Sequence, residues 1–163
     1  MVLQLNKKME NNPENIAKNP ANFSSFVITM EELLNHSDSI YELWEELEII
    51  NASFLADSTQ SWEDIYQQQA KNAAENFLNQ LNIFYDKTIH NIVTNQKKLY
   101  LLLDILQKDE FFLSKYQKDW QELEYLYFLF NEQKVNLEEC KEKIILLLKK
   151  IIRYYPHKIL SIL

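Results

Sequence analysis

Three histidines, one cysteine and a crowd of carboxylates hold most of the chemical potential of this chain. Glu32 and His36 are four residues apart, as are Asp86 and His90, so each pair shares one face of a helix. A di-metal carboxylate site would add Glu-x-x-His motifs on two helices and two further inward glutamates. No Glu-x-x-His occurs, so no metal is expected. Cys140 is the only cysteine, which excludes an internal disulfide and a cysteine-built zinc site. It falls on the apolar side of a predicted helix and reads as a buried, inert thiol, because a reactive cysteine needs a base and some access. Glycine is absent altogether. A phosphate-cradling glycine loop and a nucleophile elbow are therefore excluded. No catalytic residue and no cofactor is expected, and the chain reads as a non-enzyme.

The carboxylates are segregated. Between Asn19 and Ala70 there are ten acidic residues and no Lys or Arg, whereas Lys134 to Leu163 holds seven basic residues and three acidic ones. Glu42, Glu45 and Glu46 crowd one helical stretch, where like charges at i,i+4 repel. Two sources of relief are open. Lys141, Lys149 and Lys150 of the last helix could lie alongside, or a basic partner protein could be steered to this face. The internal answer is the expectation. The net charge of −7 conceals this segregation, and nucleic acid is a poor partner for the acidic face. The basic C-terminal helix is too apolar and too lightly charged to bind phosphates convincingly.

Arg153 and His157 form one more cationic pair, near the end of a helix. The pair resembles the Arg…His motif of helical HEPN ribonucleases, in which the two residues activate and position an RNA 2′-hydroxyl. The spacing here is one residue shorter than that family's usual range, and Pro156 interrupts the helix that would present them.

These residues must be positioned by helices. From Lys97 to Phe130 there is no proline, and apolar residues recur in steps of three and four. Leu99, Leu102, Leu106, Leu113, Tyr116, Trp120, Leu123, Tyr127 and Phe130 fall on one seam, with Asp109 as its polar member. One helix over 97–130 would be about 50 Å long. Lys108-Asp109-Glu110 is where it would split, with Asp109 capping the second half. A first helix is expected over 22–56, with a weak point at 35–39 where Ser39 and Glu42 read as a capping box. A second is expected from Ser61, boxed by Asp64, to the turn at Thr94-Asn95-Gln96, and its alanines (Ala70, Ala73, Ala74) permit close packing. The last begins at the Asn136–Glu139 box and is nearly all apolar from Ile144 to Ile152, which predicts deep burial. Asn12-Pro13 and Asn19-Pro20 each set an N-cap before a proline at the first helical position.

The resulting expectation is an all-α, elongated, antiparallel up-down bundle of about four helices over residues 20–163, with a mobile arm over 1–19. The arm lacks the apolar core of a signal peptide, and no apolar run reaches the roughly 20 residues of a membrane span. A soluble, cytoplasmic protein is expected. The run Tyr125 to Phe130 cannot all face one core, which marks Tyr125 and Phe128 beside Glu42, Glu45 and Glu46 as candidate partner-binding residues.

Residues 51–86, with Gln67-Gln68-Gln69-Ala70, Asn72-Ala73-Ala74 and Leu78-Asn79-Gln80-Leu81, resemble phasins, the Gln/Ala-rich helical proteins that coat polyester granules. That resemblance implies amphipathic helices lying on a granule or membrane surface. The residues themselves favour a bundle that presents a helix face to another protein, as an adaptor, a chaperone-like subunit or an inhibitor. Another copy of the chain, as a homo-oligomer, is a further partner the sequence allows.

Overall fold

The computed structural model describes residues 12–57, 59–132, 137–153 and 155–162, and for His36, Leu137 and His157 the backbone alone. Every described element is helical: α1 (Pro13–Ile16), α2 (Pro20–Glu31), a 3-10 turn (Leu34–His36), α3 (Asp38–Ala56), a π-helical turn (Trp62–Tyr66), α4 (Gln67–Thr94), α5 (Gln96–Gln107), α6 (Glu110–Asn131), α7 (Leu137–Ile152) and α8 (Pro156–Leu160). Backbone contacts divide the chain into two compact units, Met1–Ile83 and Phe84–Leu163.

Side-chain caps mark four helix starts among the described residues. Asn12 accepts from the Glu14 N–H, Asn19 from the Asn22 N–H, and Asn95 from the N–H groups of Lys97 and Lys98. Each supplies an acceptor to a helix N-terminus that has no internal one. The first two caps stand before Pro13 and Pro20, which cannot donate and are pre-set for the helix. Two of the expected boxes are not made. The cap of α3 is Ser37 rather than Ser39, with no side-chain bond to the helix, because the two hydroxyls bond each other at 2.8 Å. Ser61 makes no cap bond either; it leads into the π-helical turn, not an α-helix. The Asn136–Glu139 box lies outside the described residues.

The long helices expected over 22–56 and 97–130 are both broken. Between α2 and α3 the chain tightens into the 3-10 turn and becomes extended at Ser37. At Asp109 the backbone is again extended (φ −96°, ψ 100°), and its carboxylate accepts the Phe112 N–H at 2.9 Å. The carboxylate thus acts as an N-cap, ending one helix and starting the next where the apolar rhythm ran straight through. Inside α6, Tyr116 also leaves helical dihedrals (φ −122°, ψ 28°).

In the first unit Phe23, Phe26, Ile40, Leu47, Trp62 and Phe77 are buried. Between α2 and α4, Phe26 and Phe77 meet edge to face at 5.9 Å, and Ala70, Ala73 and Ala74 of α4 are buried. Trp62 packs against Phe23, Phe54 and Tyr66 and donates its indole N–H to the Ala17 carbonyl at 2.9 Å. Of the arm expected over 1–19, residues 1–11 lie outside the described residues. The rest forms α1, with Ile16 and Ala17 fully buried and Glu14 paired to Lys71 at 2.9 Å.

In the second unit Leu99, Leu102, Leu106, Leu123, Ile144, Leu148 and Ile151 are inaccessible, so much of the central seam is core despite the break, while its members Leu113, Tyr127 and Phe130 are half-buried. Gln96 donates to Asn131 at 2.8 Å, joining the start of α5 to the end of α6. Helix α7 is not buried all round as its composition predicts: Leu146 is 67% exposed. Pro156 opens α8, whose Ile159 and Leu160 are buried. No described helix is long and apolar enough to cross a membrane.

Candidate functional site

The residues singled out for chemistry do not form a catalytic constellation among the described residues. His90 and Asp86 are exposed on α4, where they line an open concavity of about 610 Å³ with Lys87, Ile145 and Lys149. Asp86 pairs with Lys149 at 3.3 Å. Glu32 is exposed at the end of α2, and the His36 side chain lies outside the described residues. The same holds for His157, while Arg153 is exposed just past α7. Among the described residues no group of three or more His, Cys, Asp or Glu side chains is placed to hold a metal ion. Cys140 is buried and donates to the Leu126 carbonyl at 3.1 Å. Burial raises its pKa above the ordinary thiol value, which keeps it protonated and a poor nucleophile.

The candidate partner-binding residues fall in different units. Tyr125 and Phe128 stand one turn apart on α6, 61% and 51% exposed, while Leu126 between them is buried. The aromatic run therefore divides between the core and the surface, as six consecutive large residues on one helix must. Glu42, Glu45 and Glu46 are exposed on α3 and line a concavity of about 490 Å³ with Ile49, Ile50, Gln69 and Asn72. Ile49 and Ile50 come from α3 and the two amides from α4, so the concavity is a groove between these helices. Ile49, 60% exposed, contributes apolar surface to it. The sequence reasoning passed over Ile49, Ile50, Gln69 and Asn72. One signal was available: Ile49 is a large apolar residue off the seam of its helix, seven residues from Glu42 and hence on the same face.

The expected internal cations are engaged elsewhere. Lys141 pairs with Glu138 at 3.2 Å, Lys149 with Asp86 at 3.3 Å and Lys150 with Asp119 at 2.7 Å. No ion pair joins Glu42, Glu45 or Glu46 to a described residue.

The densest polar cluster was not foreseen. At the α5–α6 break Asp109 accepts from the Tyr155 hydroxyl, caps Phe112 and lies 3.5 Å from the Lys158 ammonium. The Tyr155 ring stacks on Phe111 and Phe112. The Tyr155 hydrogen bond, then the Phe112 N–H and the Lys158 charge, hold the Asp109 carboxyl below the usual carboxylate range. Burial first, and Asp109 second, push the Tyr155 phenol up. This cluster ties the C-terminal segment to the helix break. Its side chains are 46 residues apart in sequence, beyond the reach of any periodicity.

Comparison of the chain with protein-family models, curated proteins and solved structures finds no match.

Proposed function

We propose that this is a non-enzymatic helical protein that acts by binding another protein through the acidic face of α3. The observation that carries the reading is the state of Glu42, Glu45 and Glu46: exposed, crowded within five residues, and without an ion pair to any described residue. Like charges at this spacing cost a few tenths of a kcal/mol per i,i+4 pair. A basic surface on a partner would remove that repulsion and accelerate association by steering. An adaptor, a chaperone-like subunit and an inhibitor all fit this mode. The reading includes the expected architecture, about four long helical stretches running up and down, as the scaffold that keeps the face rigid.

Thermal melts at low and high salt test it without a partner in hand. The triple variant Glu42→Gln, Glu45→Gln, Glu46→Gln should melt at or above the parent temperature at low salt, and the difference should close as salt screens the repulsion. A variant that melts clearly lower at low salt would mean these carboxylates have stabilising partners within the chain, and the reading would fall.

A further inference from the structure

The groove beneath these carboxylates has a chemistry of its own. Glu42, Glu45 and Glu46 form one wall, Ile49 and Ile50 add apolar surface, and Gln69 and Asn72 stand on the α4 side. Among the described residues no Lys, Arg or His lines it. Glu42 and Glu46 are one helical turn apart, and Ile49 follows within the next turn. A second helix laid along α3 advances by the same 1.5 Å per residue, so its i, i+3 and i+4 positions stay in step with these side chains for about two turns. Its cations would meet the carboxylates, and an apolar residue between them would cover Ile49, which lies 60% exposed.

We propose that the α3–α4 groove takes a basic amphipathic helix of another protein, whose lysine or arginine side chains pair with Glu42, Glu45 and Glu46 and whose apolar stripe covers Ile49 and Ile50. The proposal rests on the reading of α3 as a binding face and names what that face takes. Charge complementarity selects this occupant. Nucleic acid and anionic lipid both carry the sign that the wall repels. The apolar residues demand more than a loose cation, because a purely electrostatic partner would leave Ile49 in water. This is helix-in-groove recognition, with charge setting the approach and apolar contact setting the residence time.

The test uses the full chain and a labelled leucine–lysine peptide of about 18 residues patterned as an amphipathic helix, beside a scrambled peptide of the same composition. Fluorescence anisotropy should show the patterned peptide binding about tenfold or more tightly than the scramble. The triple Glu→Gln variant should weaken binding by about tenfold at low salt, with the loss shrinking as salt rises. Ile49→Ser, at an exposed position that should not disturb folding, should weaken binding severalfold without changing the salt slope. Equal binding of the two peptides, with full sensitivity to the Glu→Gln changes, would overturn the groove while leaving the acidic binding face standing. Absence of binding by either peptide, or binding indifferent to both variants, would also overturn the groove, and the melts would still judge the broader reading separately. Co-sedimentation with zwitterionic vesicles, abolished by Ile49→Ser, would overturn it in favour of a lipid surface.

Discussion

The two units treat charge in opposite ways. In Phe84–Leu163, six lysines among the described residues hold carboxylates of the same unit: Lys108 with Asp104, Lys141 with Glu138, Lys143 with Glu139, Lys149 with Asp86, Lys150 with Asp119 and Lys158 with Asp109. In Met1–Ile83 the corresponding pair among described residues is Lys71 with Glu14, and α3 carries its glutamates unmatched. The apolar interiors do not differ in kind; Leu47 and Phe77 are as inaccessible as Leu102 and Leu123. Burial therefore accounts for stability in both units. Charge has become a local structural device in one and a surface left open in the other.

The largest expected effects test the likeness of the two cores. Leu102→Ala and Leu123→Ala in the second unit, and Leu47→Ala in the first, should each cost about 2–5 kcal/mol by denaturant unfolding, through lost transfer energy and an unfilled cavity. A variant that unfolds with the parent would show that its position is not core and that the likeness fails there.

Next comes the cluster in which charge does structural work. With its side chain only 12% exposed and three partners, Asp109 makes contacts that leucine cannot replace. Asp109→Leu should cost about 1–3 kcal/mol, the sum of a lost cap and a lost charge-assisted hydrogen bond. The folded pKa of Asp109 is depressed, so its stabilisation is complete above the ordinary carboxylate range, near pH 4, and is lost as pH falls through the folded value. Asp109→Asn should flatten that part of the acid limb of the stability–pH curve. An unchanged limb would remove Asp109 from the account.

A smaller effect sharpens the contrast directly. Asp119→Asn should cost up to about 1 kcal/mol, because Asp119 is largely enclosed beside Lys150. The triple Glu→Gln change on α3 should cost nothing. Matching losses in urea melts would erase the distinction between the units. The smallest effect is expected at His90, which is exposed on α4: His90→Ala should stay within about 0.5 kcal/mol of the parent.

Much of this was legible in the chain. Asn12-Pro13 and Asn19-Pro20 announced their caps, because a cap is made by residues two or three apart and depends on nothing distant, while Asn95 was legible as a turn and proves to be a cap as well. The seam from Leu99 to Leu123 announced the core of the second unit for the same reason: helical periodicity is local. The break at Asp109 was legible as a place but not as an outcome. Leucine rhythm favoured continuity, whereas the break carries a local cap on Phe112 and a hydrogen bond from Tyr155, 46 residues away.

By itself, the sequence determined that the protein is helical, where some of its helices start, which residues are apolar enough to enter a core, and that acid and base are segregated along the chain. Those properties depend on side-chain spacing and backbone capping, which act within a turn or two. Tertiary structure decided which charges meet. Lys149 and Lys150, expected opposite Glu42, Glu45 and Glu46, instead meet Asp86 of α4 and Asp119 of α6. It also placed Trp62 on the Ala17 carbonyl, Tyr155 on Asp109, and Ile49 beside Gln69 and Asn72 in a groove. Ion pairs between helices, and grooves, are set by how helices pack. Periodicity tells which face a residue occupies, but not which neighbour that face will meet.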